Sequence, residues 1–165
     1  MGWGQKVSRA GYYALLGLPD ALAPTGVRAR VTRRVFRSRF ELREPGAGRA
    51  AAHSTLAAAV GLIAWFAVFL AASAAVRGVL YPVVAAHEYQ SSWGGPTLAG
   101  AWAVHAVLGV GLLPLWWFLV AGLGVLQLRL TQRLLGRTGP WWPIPLAVLL
   151  FLGSIAVFIA WLHQI

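Results

Sequence analysis

Three long apolar runs without a charged side chain constrain the fold of this chain more than any other feature. They cover residues 55–76, 97–128 and 142–162. A helix rises about 1.5 Å per residue, so about 20 residues are enough to cross a hydrocarbon core of ~30 Å. In lipid the backbone must satisfy its own polar groups, which favours helices. The sequence therefore predicts an all-α integral membrane helical bundle with about three transmembrane helices.

The composition supports this prediction. Hydrophobic residues make up 59% of the chain and charged residues 11%, whereas about 25% of the residues of an average globular protein are charged. So few charges could not cover a water-exposed surface. The chain has no cysteine, which excludes disulfides and thiolate metal sites. No cofactor is predicted, and serine residues lack the contexts of nucleophilic catalysis.

The second and third runs have distinct boundaries. The second needs only residues 97–120 to cross a bilayer and extends to 128, so we expect it to tilt, to kink at Pro114 or to continue past the interface. Pro140, Pro143 and Pro145 cluster at the start of the third run, where missing amide donors cost least.

The basic residues predict the orientation. Ten of the fourteen Lys and Arg residues lie in residues 1–54 and three more in 129–137, the two segments that flank the runs on one side. This is the positive-inside pattern. It predicts a multi-pass protein of the cell inner (plasma) membrane, with the N-terminus cytoplasmic and the C-terminus outside. The same distribution argues against nucleic acid as the reason for the net charge of +10.

Residues 1–54 form a basic cytoplasmic or interfacial segment, and residues 55–165 form the transmembrane domain. Residues 11–18 are expected to form a short interfacial helix. Over residues 27–40, the apolar positions 27, 31, 35, 36 and 40 share one helical face, which predicts a basic amphipathic helix on the inner leaflet. Anionic lipids or a partner would be bound by the arginines Arg28, Arg30, Arg33, Arg34 and Arg37. A disordered basic tail that only sets the topology is the alternative.

Small residues form a stripe along each of the first two spans. The first stripe includes Ala57, Gly61 and Ala75, and the second includes Ala101 and Gly109. Small residues allow helix backbones to approach closely in lipid. We expect the two stripes to pack together, and a homodimer interface is the alternative.

His105 is an ionisable residue about two turns into the second span, where such groups usually face the bundle interior. No Asp, Glu, Lys or Arg lies inside a span to complete a proton relay, so we expect a neutral imidazole bonded to a neighbouring helix. The topology also places His87, Glu88, His105 and His163 in the outer half of the protein. These side chains offer nitrogen and oxygen donors for a divalent metal.

Part of the chain resembles a known family. Residues 60–136 combine a span, an outer segment beginning Val79-Leu80-Tyr81-Pro82, a second Gly-rich span, and the exit Leu126-Gln127-Leu128-Arg129-Leu130-Thr131-Gln132-Arg133-Leu134-Leu135-Gly136. This arrangement is similar to a sensor-type membrane domain of actinobacterial membrane proteins, which is often attached to histidine kinases. The chain departs from that family in having a third span and no kinase core.

The sequence therefore favours a small non-enzymatic membrane protein, an accessory or sensor-like subunit. It would act through a membrane-protein partner or as a homo-oligomer, in contact with the bilayer and its anionic lipids. The alternative is a transport-related or metal-binding membrane protein or enzyme component that uses His105 and the cluster of His87, Glu88 and His163.

Overall fold

A computed structural model of the chain describes residues 2–36, 45–85, 87, 89–137 and 139–163. The structure is all α and 85% helical, which confirms the predicted fold class. The helices are α1 (Trp3–Leu22), α2 (Thr25–Phe36), α3 (Ala47–Val79), α4 (Tyr81–Val84), α5 (Leu98–Gly111), α6 (Leu113–Leu134) and α7 (Pro143–Leu162), with a short 3₁₀ helix at Tyr89–Ser91.

Three stretches of helix in the described residues are long and apolar enough to cross a membrane. They are α3 with 33 residues, α5 and α6 together with 37 residues, and α7 with 20 residues. The chain is therefore a multi-pass membrane protein, as the apolar runs predict.

Two of these stretches extend beyond the predicted spans. The helix α3 begins at Ala47 rather than near residue 55, and α6 continues to Leu134. Hydrogen bonds join these two extensions. The Arg49 guanidinium of α3, for example, donates to the Arg133 carbonyl of α6 over 2.8 Å. Such bonds stabilise helical turns that lie outside the apolar part of each span.

The second apolar run breaks close to the predicted proline. The helix α5 ends at Gly111 with Leu112 as its C-cap, and Pro114 is the second residue of α6. Proline is tolerated there because the first amides of a helix have no intrahelical acceptor. Of the predicted alternatives, the structure shows the interruption beside Pro114, and α6 then continues to Leu134.

The described residues form two compact units. One consists of the described residues within 1–65 and 120–165, and the other of those within 66–119. The helices α3 and α6 each contribute residues to both units.

In the first unit, α1 packs directly against α3 and α6. A Cβ atom on Gly61 of α3 would lie 2.6 Å from the backbone nitrogen of Leu18, and a Cβ on Gly124 of α6 would overlap the carbonyl of Ala10. Only glycine allows these backbones to approach so closely. The expected short interfacial helix over residues 11–18 is thus a 20-residue helix with one face packed on two spans.

In the second unit, the end of α3 packs against α5. Gly109 contacts the backbone of Ala74 and Ala75, and the Trp102 indole donates to the Val79 carbonyl over 3.0 Å. The predicted packing of the two small-residue stripes within the chain is confirmed at this position. The other part of the first stripe, at Gly61, packs against α1 instead.

Candidate functional site

Five buried polar side chains from four helices meet in the first unit. Each is at most 6% exposed, although most of the surrounding residues are apolar. We call this set the polar network; it consists of Tyr13 of α1, Arg28 and Thr32 of α2, His53 of α3 and Thr131 of α6.

Arg28 connects three helices. Its Nε donates to the Ala23 carbonyl and its Nη2 to the Ala21 carbonyl, both over 2.6 Å. These carbonyls lie at the end of α1, where the helix leaves acceptors without intrahelical donors and carries partial negative charge. The remaining nitrogen, Nη1, lies 3.0 Å from Nδ1 of His53. Arg28 therefore caps α1 and ties α2 to α3.

The contact with Arg28 determines the tautomer of His53. A guanidinium can only donate, so Nδ1 of His53 is the acceptor and the imidazole hydrogen lies on Nε2. That hydrogen points to Oγ1 of Thr131, 3.0 Å away on α6. His53 is thus neutral in this arrangement and bridges α2 and α6.

Tyr13 donates the hydrogen bond that closes the network. Thr32 donates to the Arg28 carbonyl and Thr131 donates to the Gln127 carbonyl, each over 2.9 Å. Since both threonine hydrogens are used, the Tyr13 hydroxyl is the donor, and its single hydrogen is shared between the Oγ1 atoms of Thr32 at 2.9 Å and Thr131 at 3.2 Å. Burial raises the pKa of Tyr13 to about 12, so the phenol remains protonated and able to donate.

Gln127 of α6 joins α1 and α3 next to the network. It is 2% exposed. In the amide orientation that satisfies both ends, its nitrogen donates to the Tyr13 carbonyl over 2.9 Å and its oxygen accepts from the Gly61 amide over 3.3 Å. A polar side chain inside an apolar bundle stabilises helix association in this way.

Asp20 is the exception among the buried polar side chains described. It lies in the last turn of α1, is 7% exposed, and its Oδ1 has no hydrogen-bond partner within the described part of the chain. Burial raises the pKa of Asp20 to about 6, and the nearby Arg28 charge only partly opposes this. The carboxyl group therefore changes charge near neutral pH.

The predicted basic face of α2 is only partly as expected. Arg28 is 6% exposed and is used inside the chain, so it does not lie on a membrane surface as predicted. Its bonds to the end of α1 and to His53 explain the difference, because they replace the hydration of the guanidinium. Arg30, Arg33 and Arg34 are exposed, and their predicted binding role stays a prediction.

Arg37 and the end of the predicted amphipathic helix lie outside the described residues, since α2 is described to Phe36. The buried side of α2 carries Arg28, Ala29 and Thr32, while Val27 of the predicted apolar face is 39% exposed.

His105 lies in the second unit and bonds within its own helix. Its Nδ1 donates to the Ala101 carbonyl over 2.8 Å, and its ring stacks on Tyr81 with 4.1 Å between ring centroids. The expected bond to a neighbouring helix is thus replaced by this stacking.

The predicted metal site is not assembled among the described residues. They contain no group of three or more His, Cys, Asp or Glu side chains that could hold a metal. Glu88 lies outside the described residues, and His163 belongs to the first unit whereas His87 and His105 belong to the second. A metal bound by these four residues stays a prediction.

Sequence reasoning missed the polar network, although a signal was present. Gln127 and Thr131 stand four residues apart at the end of the second apolar run and just beyond it, so they share a helix face. Polar residues inside a membrane helix usually face other helices.

No protein-family model matches the chain, and neither the curated proteins nor the solved structures include a match to it.

Proposed function

We propose that this protein is a small non-enzymatic accessory or sensor-like subunit of the plasma membrane. Its N-terminus is cytoplasmic and its C-terminus is outside, and it acts through a membrane-protein partner. The positive-inside distribution of arginine supports the orientation. The resemblance of residues 60–136 to a sensor-type membrane domain supports the sensor-like role.

The observation that carries the proposal is that one arginine of α2 is buried while others on the same helix are exposed. Arg28 is buried and holds α2 against α1 and α3. Arg30, Arg33 and Arg34 are exposed on the same helix, and we call these three the α2 basic face. A helix fixed in this way presents its charges at defined positions, which lowers the ordering cost of binding.

The chemistry of the α2 basic face indicates an acidic partner. The only acidic side chain in the described part of the chain is Asp20, which is buried. Guanidinium groups form bidentate bonds with carboxylates, which gives specificity for an ordered acidic segment over a diffuse charge. The partner proposed here is therefore a membrane protein with an acidic cytoplasmic segment, and anionic lipids contribute around it.

Site-specific photo-crosslinking in cells tests this proposal. A photoreactive residue at position 30 or 33 is expected to capture one partner, and mass spectrometry should identify the crosslinked peptide as acidic. Arg33→Glu together with Arg34→Glu should remove the crosslink from position 30, because the charges then repel. Arg77→Glu is the matched control, since Arg77 is exposed on the second unit and is predicted to lie on the other side of the membrane.

Membrane fractionation of each variant establishes that insertion is unchanged. Crosslinks that reach only lipid, or only other copies of this chain, would contradict the proposed partner. It would also be contradicted if the Arg33→Glu, Arg34→Glu variant and the Arg77→Glu control captured the same mixture of proteins.

A further inference from the structure

The connection between α1 and α2 contains an unusual combination of charges. We call residues 20–28 the elbow. At one end Asp20 is buried with an oxygen that has no hydrogen-bond partner among the described residues. At the other end Arg28 bonds to the carbonyls of Ala21 and Ala23 in the same elbow. A buried carboxylate normally accepts several hydrogen bonds, and an oxygen without any is costly when it is charged.

We propose that Asp20 is a proton-binding site that controls how tightly α2 is held against α1 and α3. It thereby regulates the presentation of the α2 basic face, and in this respect the inference rests on the proposed function. The proton binding itself does not depend on any partner.

The charged and titratable groups around Asp20 define how the site works. Within the described part of the chain they are Arg28 on α2, Tyr13 on α1 and, through its bond to Arg28, His53 on α3. The helix α6 contributes the neutral side chains of Gln127 and Thr131 to this region.

The protonation state of Asp20 changes the partners available to Arg28. An ionised carboxylate attracts the guanidinium and competes with the two elbow carbonyls and with His53 for it. A protonated carboxyl group does not compete, and it removes the cost of a buried charge. Protonation therefore favours the arrangement in which Arg28 caps α1 and binds His53.

The direction of the pH dependence follows from the two states of the elbow. In the docked state the pKa of Asp20 is about 6, above its ordinary value of 3.8, so the docked state binds the proton more tightly than an open, hydrated elbow does. Docking of α2 is therefore strongest at a pH below the ordinary pKa of 3.8 and weakens as the pH rises through about 6. Protonation of His53 acts in the opposite direction, because an imidazolium has no acceptor for Arg28.

The first experiment measures the titration of Asp20 directly. Asp20 is the only aspartate in the chain, so protein labelled with ¹³C-aspartate gives a single side-chain carboxyl signal that needs no assignment. In purified protein in micelles, the midpoint of this signal is expected near pH 6. A midpoint at the ordinary value of 3.8 would overturn the proposal.

The second experiment measures whether α2 opens. The chain has no cysteine, so a thiol introduced by Ala29→Cys is the only one present. Ala29 is fully buried and Val27 on the same helix is exposed. The rate of maleimide labelling at position 29, divided by the rate in a Val27→Cys control, corrects for the intrinsic pH dependence of the thiol.

The ratio of rates is expected to rise at least about tenfold between about pH 5 and about pH 7.5, since each unit of pKa difference corresponds to a tenfold change in the docking equilibrium. Asp20→Asn should hold the ratio at its low value across this range, and Asp20→Glu should retain a transition. A ratio that does not change with pH, or that rises equally in Asp20→Asn, would overturn the proposal.

The titration of the native chain decides the question if Asp20→Asn does not fold. Both experiments use purified protein without a partner. A native chain that captures no protein partner from position 30 or 33 but titrates as expected would therefore contradict the proposed function and leave the proton site standing.

Discussion

Arg28 and His53 are joined by a hydrogen bond of 3.0 Å between Nη1 and Nδ1, although 25 residues separate them in the chain. The bond is buried and connects the second helix to the first membrane span. It explains how an arginine is accommodated among apolar helices: each of its three side-chain nitrogens has an acceptor, and two of these acceptors are carbonyls that α1 cannot satisfy itself.

Replacing Arg28 by alanine should therefore destabilise the first unit strongly. The carbonyls of Ala21 and Ala23 and the Nδ1 atom of His53 would lose their donor while buried, and we expect a loss of about 3 kcal/mol in the free energy of unfolding. Unfolding in mixed micelles, followed by circular dichroism, measures it. Arg30→Ala is the matched control on the same helix and should change the free energy of unfolding by less than about 0.5 kcal/mol. Equal effects of the two substitutions would contradict the assigned role of Arg28.

The Tyr13 hydroxyl should be coupled to both threonines of the polar network. Tyr13→Phe removes the hydroxyl whose single hydrogen is shared between Thr32 and Thr131 while the ring remains, and we expect a loss of about 1 kcal/mol in the free energy of unfolding. A double-mutant cycle with Thr32→Val should show non-additive losses, because the two groups share one bond. Strict additivity would mean that the hydrogen bond does not form.

Two glycines on α6 should respond in opposite ways to the same substitution. A Cβ on Gly124 would overlap the Ala10 carbonyl of α1, whereas a Cβ on Gly122 meets nothing within 4 Å. We expect Gly124→Ala to displace α1 and lower the free energy of unfolding by about 2 kcal/mol, and Gly122→Ala to leave it unchanged or raise it slightly. If both substitutions were equally tolerated, α1 would not pack on α6 as described.

The spans could be predicted from the sequence because length and absence of charge determine them. The apolar runs at residues 55–76 and 142–162 fall within α3 and nearly coincide with α7. For the second run, excess length and Pro114 left a tilt, a kink at the proline and a continuation past the interface as alternatives, and the helix breaks at Leu112, next to this proline. These properties are local along the chain, so the positions of the spans can be predicted from a single sequence.

The polar network could not be predicted because its members are distant in sequence. Tyr13 and Thr131 are 118 residues apart, and their contact depends on how α1 crosses the spans. Apolar periodicity on α2 predicted a helix on the inner leaflet with its arginines away from the apolar face, and it gave no sign that Arg28 is buried within the chain. The hydrogen bonds of Arg28 to the end of α1 outweigh that periodicity, and they exist only in the folded chain.

In the second unit, His105 should contribute mainly through its stacking on Tyr81. We expect His105→Ala to lower the free energy of unfolding by about 1 kcal/mol, and His105→Phe to retain most of this contribution, because a phenyl ring can stack in the same way. Thermal unfolding with and without added Zn²⁺ is the measurement. A stabilisation by Zn²⁺ in the native chain that disappears in His105→Phe would instead favour the metal-binding interpretation.

The stability of the first unit should depend on pH through Asp20, in a direction opposite to that of most carboxyl groups. The pKa of Asp20 is about 6 when it is buried and 3.8 ordinarily, so the folded chain binds the proton more tightly than the unfolded chain. The contribution of Asp20 to stability is then most favourable at a pH below 3.8, its pKa in the unfolded chain, and it is lost as the pH rises through about 6.

Asp20→Asn should remove this dependence. It replaces the buried charge by a neutral amide, so at about pH 7.5 we expect the variant to be more stable than the native chain by roughly 1–2 kcal/mol, less than the full pKa difference would give because screening reduces the interaction. Near pH 4 the two chains should differ little. Unfolding curves for both chains across this pH range give the difference, and a native chain that is the more stable one at about pH 7.5 would show that ionised Asp20 stabilises the elbow through Arg28 instead.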